Sequence, residues 1–463
     1  MAKVTTGLRV IALAAVAGAI SFAPALADTL EGALVQAYQN NPQLNSQRAI
    51  VRQTDENVPQ ALSGYRPRVT ATANVGSSFQ SSTTKGVGAI STTEGTITPH
   101  GVGITATQTL FNGFQTANRT RQAEAQVSAA RATLAIIEQN TLLTAATDYM
   151  NLLRDAAILD LQRRNVEVLQ EQLRQTRDRF NVGEVTKTDV AQAESRLAAG
   201  RSQVLTAESN YTTSRAAYRR DIGVEPGKLA SATPVDRFSP RTLKDAIATG
   251  RSDNPNVAAA MFGIDTALFA VKVNEGALYP TVTAQASIQQ NYEVSPLITR
   301  QTNATVTGQV SVPIYQGGQE YSLIRQSKEF LGQKRIDLET QRDAAQANVV
   351  QAWGNLEAAK ANIQATQAQV NAAEIALNGV REEARVGQRT TLDVLNAQQE
   401  LVNARVALVS AQRDRVVQSY TLLNAVGGLY VQVLGLKAPT YDPIVHYEQV
   451  RDSWAGVRTP DGR

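Results

Sequence analysis

The chain has 463 residues, a formal net charge of +4 and no cysteine. The lack of cysteine excludes a disulfide framework, a thiolate metal site and a lipid anchor on an N-terminal cysteine. The 45 basic and 41 acidic residues are mixed along the chain, with no basic stripe beside aromatic residues, which argues against a nucleic-acid partner.

The N-terminus has the pattern of a Sec signal peptide. Lys3 and Arg9 precede an apolar run at residues 10–20, and Ala-Leu-Ala at residues 25–27 supplies small residues for cleavage. The run is shorter than the roughly 18–20 residues that a membrane anchor needs, so we predict that residues 1–27 are removed. We expect no later segment to be long and apolar enough to span a membrane as a helix. Export without such a helix leaves the periplasm, the outer membrane or the medium.

The rest of the chain contains two copies of one unit. TLEGALVQAYQNNPQ at residues 29–43 aligns with TLKDAIATGRSDNPN at 242–256, and LFNGF at 110–114 aligns with IYQGG at 314–318. The offset between the copies falls from 213 to 204 residues, because the first copy has a longer Ser/Thr/Gly-rich stretch, which we interpret as a loop. The predicted organisation is repeat 1 (28–222), a linker (223–241), repeat 2 (242–436) and a polar C-terminal tail expected to fray (437–463).

Each repeat contains one predicted β-hairpin, at residues 68–111 and 281–315. Apolar residues alternate there with uncharged polar residues, which is the pattern of a transmembrane barrel strand with a wet lumen. A soluble sandwich is the alternative, but four strands without large aliphatic residues would make a thin core. Four strands cannot close a barrel, since about eight is the minimum, so closure requires several chains.

Helices fill the remainder of both repeats. Prolines, which would interrupt a helix, are absent from residues 100–224 and 314–438. An Ala-rich sequence with few aromatic residues is typical of long packed helices. We predict one helix of about 95 Å in each repeat and several helices of about 50 Å, two of which stacked end to end would match a long one. A seven-residue apolar repeat from Ala145 to Phe180 predicts a coiled-coil seam. The predicted long helices are 116–178 and 319–383, and the shorter ones are 30–60, 189–221, 243–276 and 393–425.

Two nearly identical peptides join the helices of each pair: VGEVTKTDV at residues 182–190 and VGQRTTLDV at 386–394. They predict tight tips, at 181–188 and 385–392. Glycine suits the left-handed position after a helix, and Thr-x-x-Asp has the spacing of a capping box for the next helix. The residues are Gly183, Thr186 and Asp189 in the first tip, and Gly387, Thr390 and Asp393 in the second.

Two features of the tips exceed what capping requires. Val182 and Val386 are apolar residues at predicted exposed positions, which suits docking to a helical hairpin of a partner. Asp393 has Asn396 one turn later on the same helix face. In an oligomer, symmetry would turn a carboxylate at the tip into a ring that attracts cations.

The residues together resemble one family. VSVPIYQGGQ at 310–319, RFNVG at 179–183, DVLNAQ at 393–398 and the duplicated plan are similar to the TolC family of outer-membrane efflux proteins. The resemblance implies a mixed α and β membrane protein: a homotrimer whose 12-stranded outer-membrane β-barrel, four strands per chain, continues into a long α-helical coiled-coil barrel in the periplasm. It also implies an exit duct in contact with outer-membrane lipid, serving an inner-membrane pump and a periplasmic adaptor in drug efflux or type I protein secretion.

The resemblance also assigns roles to individual residues. It implies that Asp393 belongs to a periplasmic constriction ring, and that Thr188, Asp189 and Arg389 tie neighbouring coils in a closed gate. It likewise makes the Val-Gly pairs at 182–183 and 386–387 the adaptor-docking tips. Asn396 stands where a second ring aspartate is expected, and Ala384 where a gate tyrosine is expected. We therefore expect a less negative ring with weaker block by polyvalent cations, and a gate with fewer hydrogen bonds between coils.

Other classes of protein fit the sequence less well. The chain has two histidines, His100 in the predicted loop and His446 in the tail, and no phosphate-binding loop, metal-spaced cluster or nucleophile elbow, so we expect no enzyme activity, cofactor or metal. A periplasmic adaptor also carries a long helical hairpin and is the alternative function, but it lacks a duplicated pair of alternating β-hairpins. A nutrient porin would spend its length on strands rather than helices.

Overall fold

The computed structural model describes residues 28–462, so the predicted signal peptide at 1–27 lies outside the described residues. The described chain is mostly helical, with a small amount of sheet. Its helices and strands are, in chain order, α1 Leu30–Asn40, α2 Pro42–Asp55, α3 Asn57–Leu62, β1 Arg68–Val75, β2 Ser78–Gly86, β3 Ala89–Ile97, β4 His100–Asn112, α4 Gln115–Asn181, α5 Lys187–Ile222, α6 Leu243–Asp253, α7 Pro255–Gly276, β5 Thr281–Ser295, β6 Ile298–Ser311, α8 Gln319–Arg385, α9 Thr391–Ala425 and α10 Pro443–Val450.

The two longest helices, α4 and α8, have 67 residues each, which corresponds to about 100 Å. They extend the predicted helices by a few residues at their ends. The predicted seam of α4 is buried at Ala145, Leu152, Leu159 and Leu173. Phe180 does not continue it, because α4 ends one residue later and leaves this side chain 42% exposed.

The prediction of unbroken helices over 30–60 and 243–276 was wrong. Both break at an Asn-Pro pair, where proline is tolerated as the first residue of a new helix because its missing N–H has no partner there. Asn41 caps α2 through Oδ1, and its Nδ2 donates to the Asp221 carbonyl at the end of α5. Asn254 likewise caps α7 and donates to the Ala425 carbonyl at the end of α9. One asparagine thus joins two helix ends in each half of the chain.

Four antiparallel strands form a sheet in the order β1-β4-β5-β6. The register brings the alternating apolar residues onto one face: Ile104 lies opposite both Ala71 and Ile288, and Val306 lies opposite Ala286. Threonine, serine and glutamine occupy the other face, as at Thr105↔Ser287. The predicted alternation is therefore confirmed.

The Ser/Thr/Gly-rich stretch is a β-ribbon and not the predicted loop. β2 and β3 pair with each other from Ser78↔Ile97 to Gly86↔Ala89 and form a separate two-stranded sheet. Threonine is β-branched and favours strands, and Thr83 and Thr92 face each other across the ribbon with their hydroxyls 3.1 Å apart. His100 accordingly lies in β4, not in a loop, and stacks on Tyr292.

The largest apolar core lies near the middle of the long helices, where α1, α6 and residues 426–436 pack on α4 and α9. Leu34, Tyr149 and Leu423 are almost completely buried there. The Tyr149 hydroxyl lies 2.7 Å from the carbonyl oxygens of Asp28 and Ala230, and it can donate to one of them at a time. This ties the start of the described chain and the linker to the centre of α4.

The expectation that the C-terminal tail frays is wrong for α10, whereas residues 451–462 are exposed throughout. Helix α10 packs on α2, where His446 pairs with the buried carboxylate of Asp55 at 3.0 Å. The guanidinium of Arg131 lies over the Tyr447 ring, and further along the tail Arg66 lies over Trp454. Aromatic and cationic side chains thus hold a segment that its polar composition alone would leave free.

The expectation that no further segment could span a membrane as a helix was also wrong by length and composition. Within residues 28–462, Leu243–Gly276 meets that criterion, with a mean hydropathy of 1.4 over its most apolar window. The Asn254–Pro255 joint divides it into α6 and α7. One such segment is weak evidence for a membrane span, and α7, which supplies most of its apolar residues, lies against α4 and α8.

Candidate gate at the helical tips

Both tips turn by the same hydrogen-bonding scheme. After α4 the chain enters the left-handed region at Gly183 (φ 79°), and the N–H of Glu184 donates to the carbonyl of Arg179 at 2.9 Å. After α8 it does so at Gly387 (φ 78°), and the N–H of Gln388 donates to the carbonyl of Glu383 at the same distance. This is a Schellman-type end, which requires a residue that tolerates positive φ.

A capping box starts each returning helix. The Asp189 carboxylate accepts from the N–H of Thr186 at 2.9 Å and from its hydroxyl at 2.7 Å, while the Asp189 N–H lies 3.3 Å from that hydroxyl oxygen. Thr390 and Asp393 repeat this with distances of 2.9, 2.8 and 3.2 Å. The Thr186 hydroxyl and N–H lower the pKa of Asp189, and the Thr390 N–H and hydroxyl lower the pKa of Asp393. Both carboxylates are therefore fully ionised at neutral pH.

The predicted docking residues project from the ends of the tips. The side chains of Val182 and Val386 are each 72% exposed, and no atom lies within 4 Å of where a Cβ on Gly183 or Gly387 would be. An exposed valine beside a glycine with open space around it gives each tip a small apolar knob. A groove of about 560 Å³ separates the two tips, and its lining includes Ala384.

Two of the predicted gate residues, Asp189 and Arg389, line this groove from opposite tips, whereas Thr188 and Asn396 are not part of its lining. Thr188 is exposed on the first turn of α5. Arg389 donates to Glu383 of its own helix pair at 2.8 Å, and this hydrogen bond, followed by the charge of Glu383, raises the pKa of Arg389. Asn396, one turn after Asp393, accepts a hydrogen bond from Arg196 of α5 at 2.6 Å.

Sequence reasoning missed several residues near the tips. Three of them contact residues of the opposite helix pair: Arg196, Leu395 and Gln398. Within their own helices these residues do not differ from the surrounding sequence of a coiled-coil helix, so the local pattern does not single them out. The missing signal is nonlocal, since these partners are about 200 residues apart or more. Among residues 28–462 no group of three or more His, Asp or Glu side chains is placed to hold a metal ion.

Comparison with known proteins gives a consistent result. The chain matches the family described as outer membrane efflux protein over residues 33–224 and 247–428. Outer membrane efflux protein BepC of Brucella suis biovar 1 (strain 1330) is 43% identical, over 95% of this chain and 94% of BepC. Outer membrane protein TolC of Vibrio cholerae serotype O1 is 26% identical, over 86% of this chain and 90% of TolC. The crystal structure of the Campylobacter jejuni CmeC outer membrane channel shares the fold, with a TM-score of 0.75 at 16% identity, over 91% of this chain and 89% of CmeC. This chain therefore belongs to the outer membrane efflux protein family, which consists of channel proteins rather than enzymes.

Proposed function

We propose that three copies of this chain form an exit duct across the outer membrane. The observation that carries the proposal is an open four-stranded sheet continuous in sequence with helices of about 100 Å. Within residues 28–462, β1 pairs with β4 alone and β6 with β5 alone, so both edges of this sheet lack a strand partner. Pairing β1 of one chain with β6 of the next removes every edge, and three chains give the closed 12-stranded barrel.

The apolar face of the sheet supports contact with outer-membrane lipid. Side chains on this face are more than half exposed in the single chain: Val69, Val75, Val102, Ile104, Ile288, Val306 and Val310. Aromatic side chains at the junctions between strands and helices are also more than half exposed: Tyr65, Phe114, Tyr279 and Tyr315. A lipid-facing apolar band that ends in an aromatic girdle is the pattern of outer-membrane barrels.

The helical tips fit the periplasmic end of such a duct. In the trimer, Asp393 with Asn396 forms the constriction ring, and Thr188, Asp189 and Arg389 contribute to the gate. The Val182–Gly183 and Val386–Gly387 knobs dock a periplasmic adaptor, which links the duct to an inner-membrane pump. The 43% identity to a protein named for efflux favours efflux over protein secretion as the main role.

Fractionation and bilayer recording test the proposal together. We expect a heat-resistant trimer in the outer-membrane fraction, with Asp28 as the first residue of each chain. The purified trimer should give discrete, cation-preferring currents. The current should grow when Asp189 or Arg389 is replaced by alanine. A protein washed off the inner membrane would instead support the adaptor alternative, and a verified trimer without current, even when those residues are replaced, would overturn the gate assignment.

A further inference from the structure

The helix pair α8/α9 inserts one side chain into the helix pair α4/α5 close to the tips. Leu395, one turn inside α9, is 2% exposed and packs in an apolar cluster with residues of both helices of the other pair. Those neighbours are Leu169 and Leu173 of α4 and Ala193 and Leu197 of α5. At this height the two pairs are therefore in direct apolar contact within a single chain.

Polar side chains flank Leu395 and bridge the same two helix pairs. Asn396 Oδ1 accepts from the half-buried Arg196 of α5 at 2.6 Å. Gln398 is 7% exposed and uses both ends of its amide: Nε2 donates to Asn165 Oδ1 of α4 at 3.3 Å, and Oε1 accepts from Arg381 of α8 at 3.0 Å. Asn165 is itself 3% exposed. A buried amide satisfied at both ends fixes the relative position of the helices that supply its partners.

Most charged pairs near the tips do not cross between the helix pairs. Arg177 and Glu194 join α4 to α5 at 2.5 Å, within one pair. Arg179 pairs with Glu184 inside the first tip, and Arg389 pairs with Glu383 inside the second. These contacts survive if α8/α9 swings away from α4/α5, whereas the contacts of Leu395, Asn396 and Gln398 do not.

We propose that Leu395, the Asn396–Arg196 bond and the Asn165–Gln398–Arg381 relay form an inter-coil clasp that holds the periplasmic end of each chain closed. The inference rests on the proposed duct and goes beyond it, because it assigns Arg196 and Gln398 as positioning residues of the gate. Asn396 accepts a hydrogen bond from Arg196 in the clasp, in addition to its role with Asp393 in the proposed constriction ring. Ala384 stands where the family resemblance implies a gate tyrosine, and alanine has no side-chain hydrogen-bonding group. The clasp supplies hydrogen bonds between the coils that alanine at this position cannot make.

The test uses the purified full-length oligomer in planar bilayers. Arg196→Ala and Asn396→Ala should each raise the open probability roughly two- to tenfold, the range that the loss of one exposed hydrogen bond allows. The double variant should exceed neither single variant, because both remove the same bond. Asn396→Asp retains an acceptor for Arg196 and should not raise the open probability, although the added charge in the ring should strengthen block by polyvalent cations. Arg177→Ala is the matched control. It also removes a guanidinium near the tips, but Arg177 pairs with Glu194 within the helix pair α4/α5 and does not contact α8/α9 through this bond.

A second readout keeps the clasp testable apart from the duct. Amide hydrogen exchange over residues 391–398 should accelerate in Arg196→Ala and Asn396→Ala and stay unchanged in Arg177→Ala. Unchanged currents and exchange in the first two variants, or an equal effect of Arg177→Ala, would overturn the clasp. Absence of current from a verified trimer of every protein, wild type included, would count against the proposed gate and not against the clasp, because the exchange data would still decide whether the two coils are clasped.

Discussion

Gly113 and Gly317 occupy matching positions in LFNGF and IYQGG, and we predict that replacing them has unequal effects. Both have positive φ, 63° and 70° respectively. A Cβ on Gly113 would overlap the carbonyl oxygen of Gly276 and come within 2.8 Å of the Tyr279 Cβ. A Cβ on Gly317 would meet no atom of the chain within 4 Å.

The two substitutions therefore share one cost and differ in another. Alanine in the left-handed region costs about 1–2 kcal/mol at either position. At Gly113 the backbone near Gly276 must also move, and forced overpacking of this kind adds about 1–3 kcal/mol. We expect Gly113→Ala to destabilise the junction between sheet and helices by about 2–5 kcal/mol in total, and Gly317→Ala by about 1–2 kcal/mol.

The assay is the half-life of the folded protein in detergent at one fixed high temperature, because membrane proteins of this size often unfold irreversibly. A difference of 1.4 kcal/mol in the unfolding barrier corresponds to about a tenfold difference in half-life. Gly113→Ala should lose its helical circular dichroism well before Gly317→Ala. Equal half-lives would show that the left-handed backbone, and not the approach of Gly276, sets the requirement for glycine.

Three further outcomes are expected. Thr390→Ala removes the cap of α9 and should weaken its first turn by about 0.5–2 kcal/mol, measured as faster amide exchange there; unchanged exchange would contradict the capping role. Burial, then the hydrogen bond that protonated Asp148 donates to the Asp221 carboxylate, and then the charge of Asp221 raise the pKa of Asp148 to about 7, so its stabilising contribution is present below the ordinary value of 3.8 and is lost as pH rises through about 7. The thermal midpoint should thus fall from pH 5 to pH 8, and less so in Asp148→Asn. His446→Ala leaves the buried Asp55 without its partner and should cost about 1–3 kcal/mol, seen as faster proteolysis of the tail than in His446→Gln.

Local patterns made much of the fold predictable. Alternation of apolar and polar residues identified the strands because successive side chains of a strand point to opposite faces. The Gly and Thr-x-x-Asp signals identified the tips because the ends of helices leave backbone groups unpaired and a few residue types satisfy them. The Asn-Pro joints were visible as matching residues in the two repeats, but their meaning depends on a second helix end, at Asp221 or Ala425, that the local sequence does not reveal.

The failures share a physical cause, which is that long-range contacts decided the outcome. The tail is polar in composition, yet His446 and Tyr447 find Asp55 and Arg131 on helices more than 300 residues earlier. The Ser/Thr/Gly-rich composition of the ribbon and its greater length than the second-repeat counterpart predict a loop. Cross-strand pairs such as Thr83 with Thr92 stabilise the ribbon. The sequence alone does not show which residues pair, because the pairing depends on the register of the two strands.

The two repeats share their tips but differ in the residues that form the clasp. At the 204-residue offset, Asp393 matches Asp189, whereas Asn396 matches Gln192, Arg196 matches Glu400, and Leu395 matches Ala191. A turn is made twice in each chain, so both copies need glycine, threonine and aspartate. The contact in which α9 packs on α4 and α5 is made once in each chain, so its residues are needed in one copy only. At the tips, the residues that the repeats share make the turns, and the differing residues Arg196, Leu395 and Asn396 belong to the contact between the two coils.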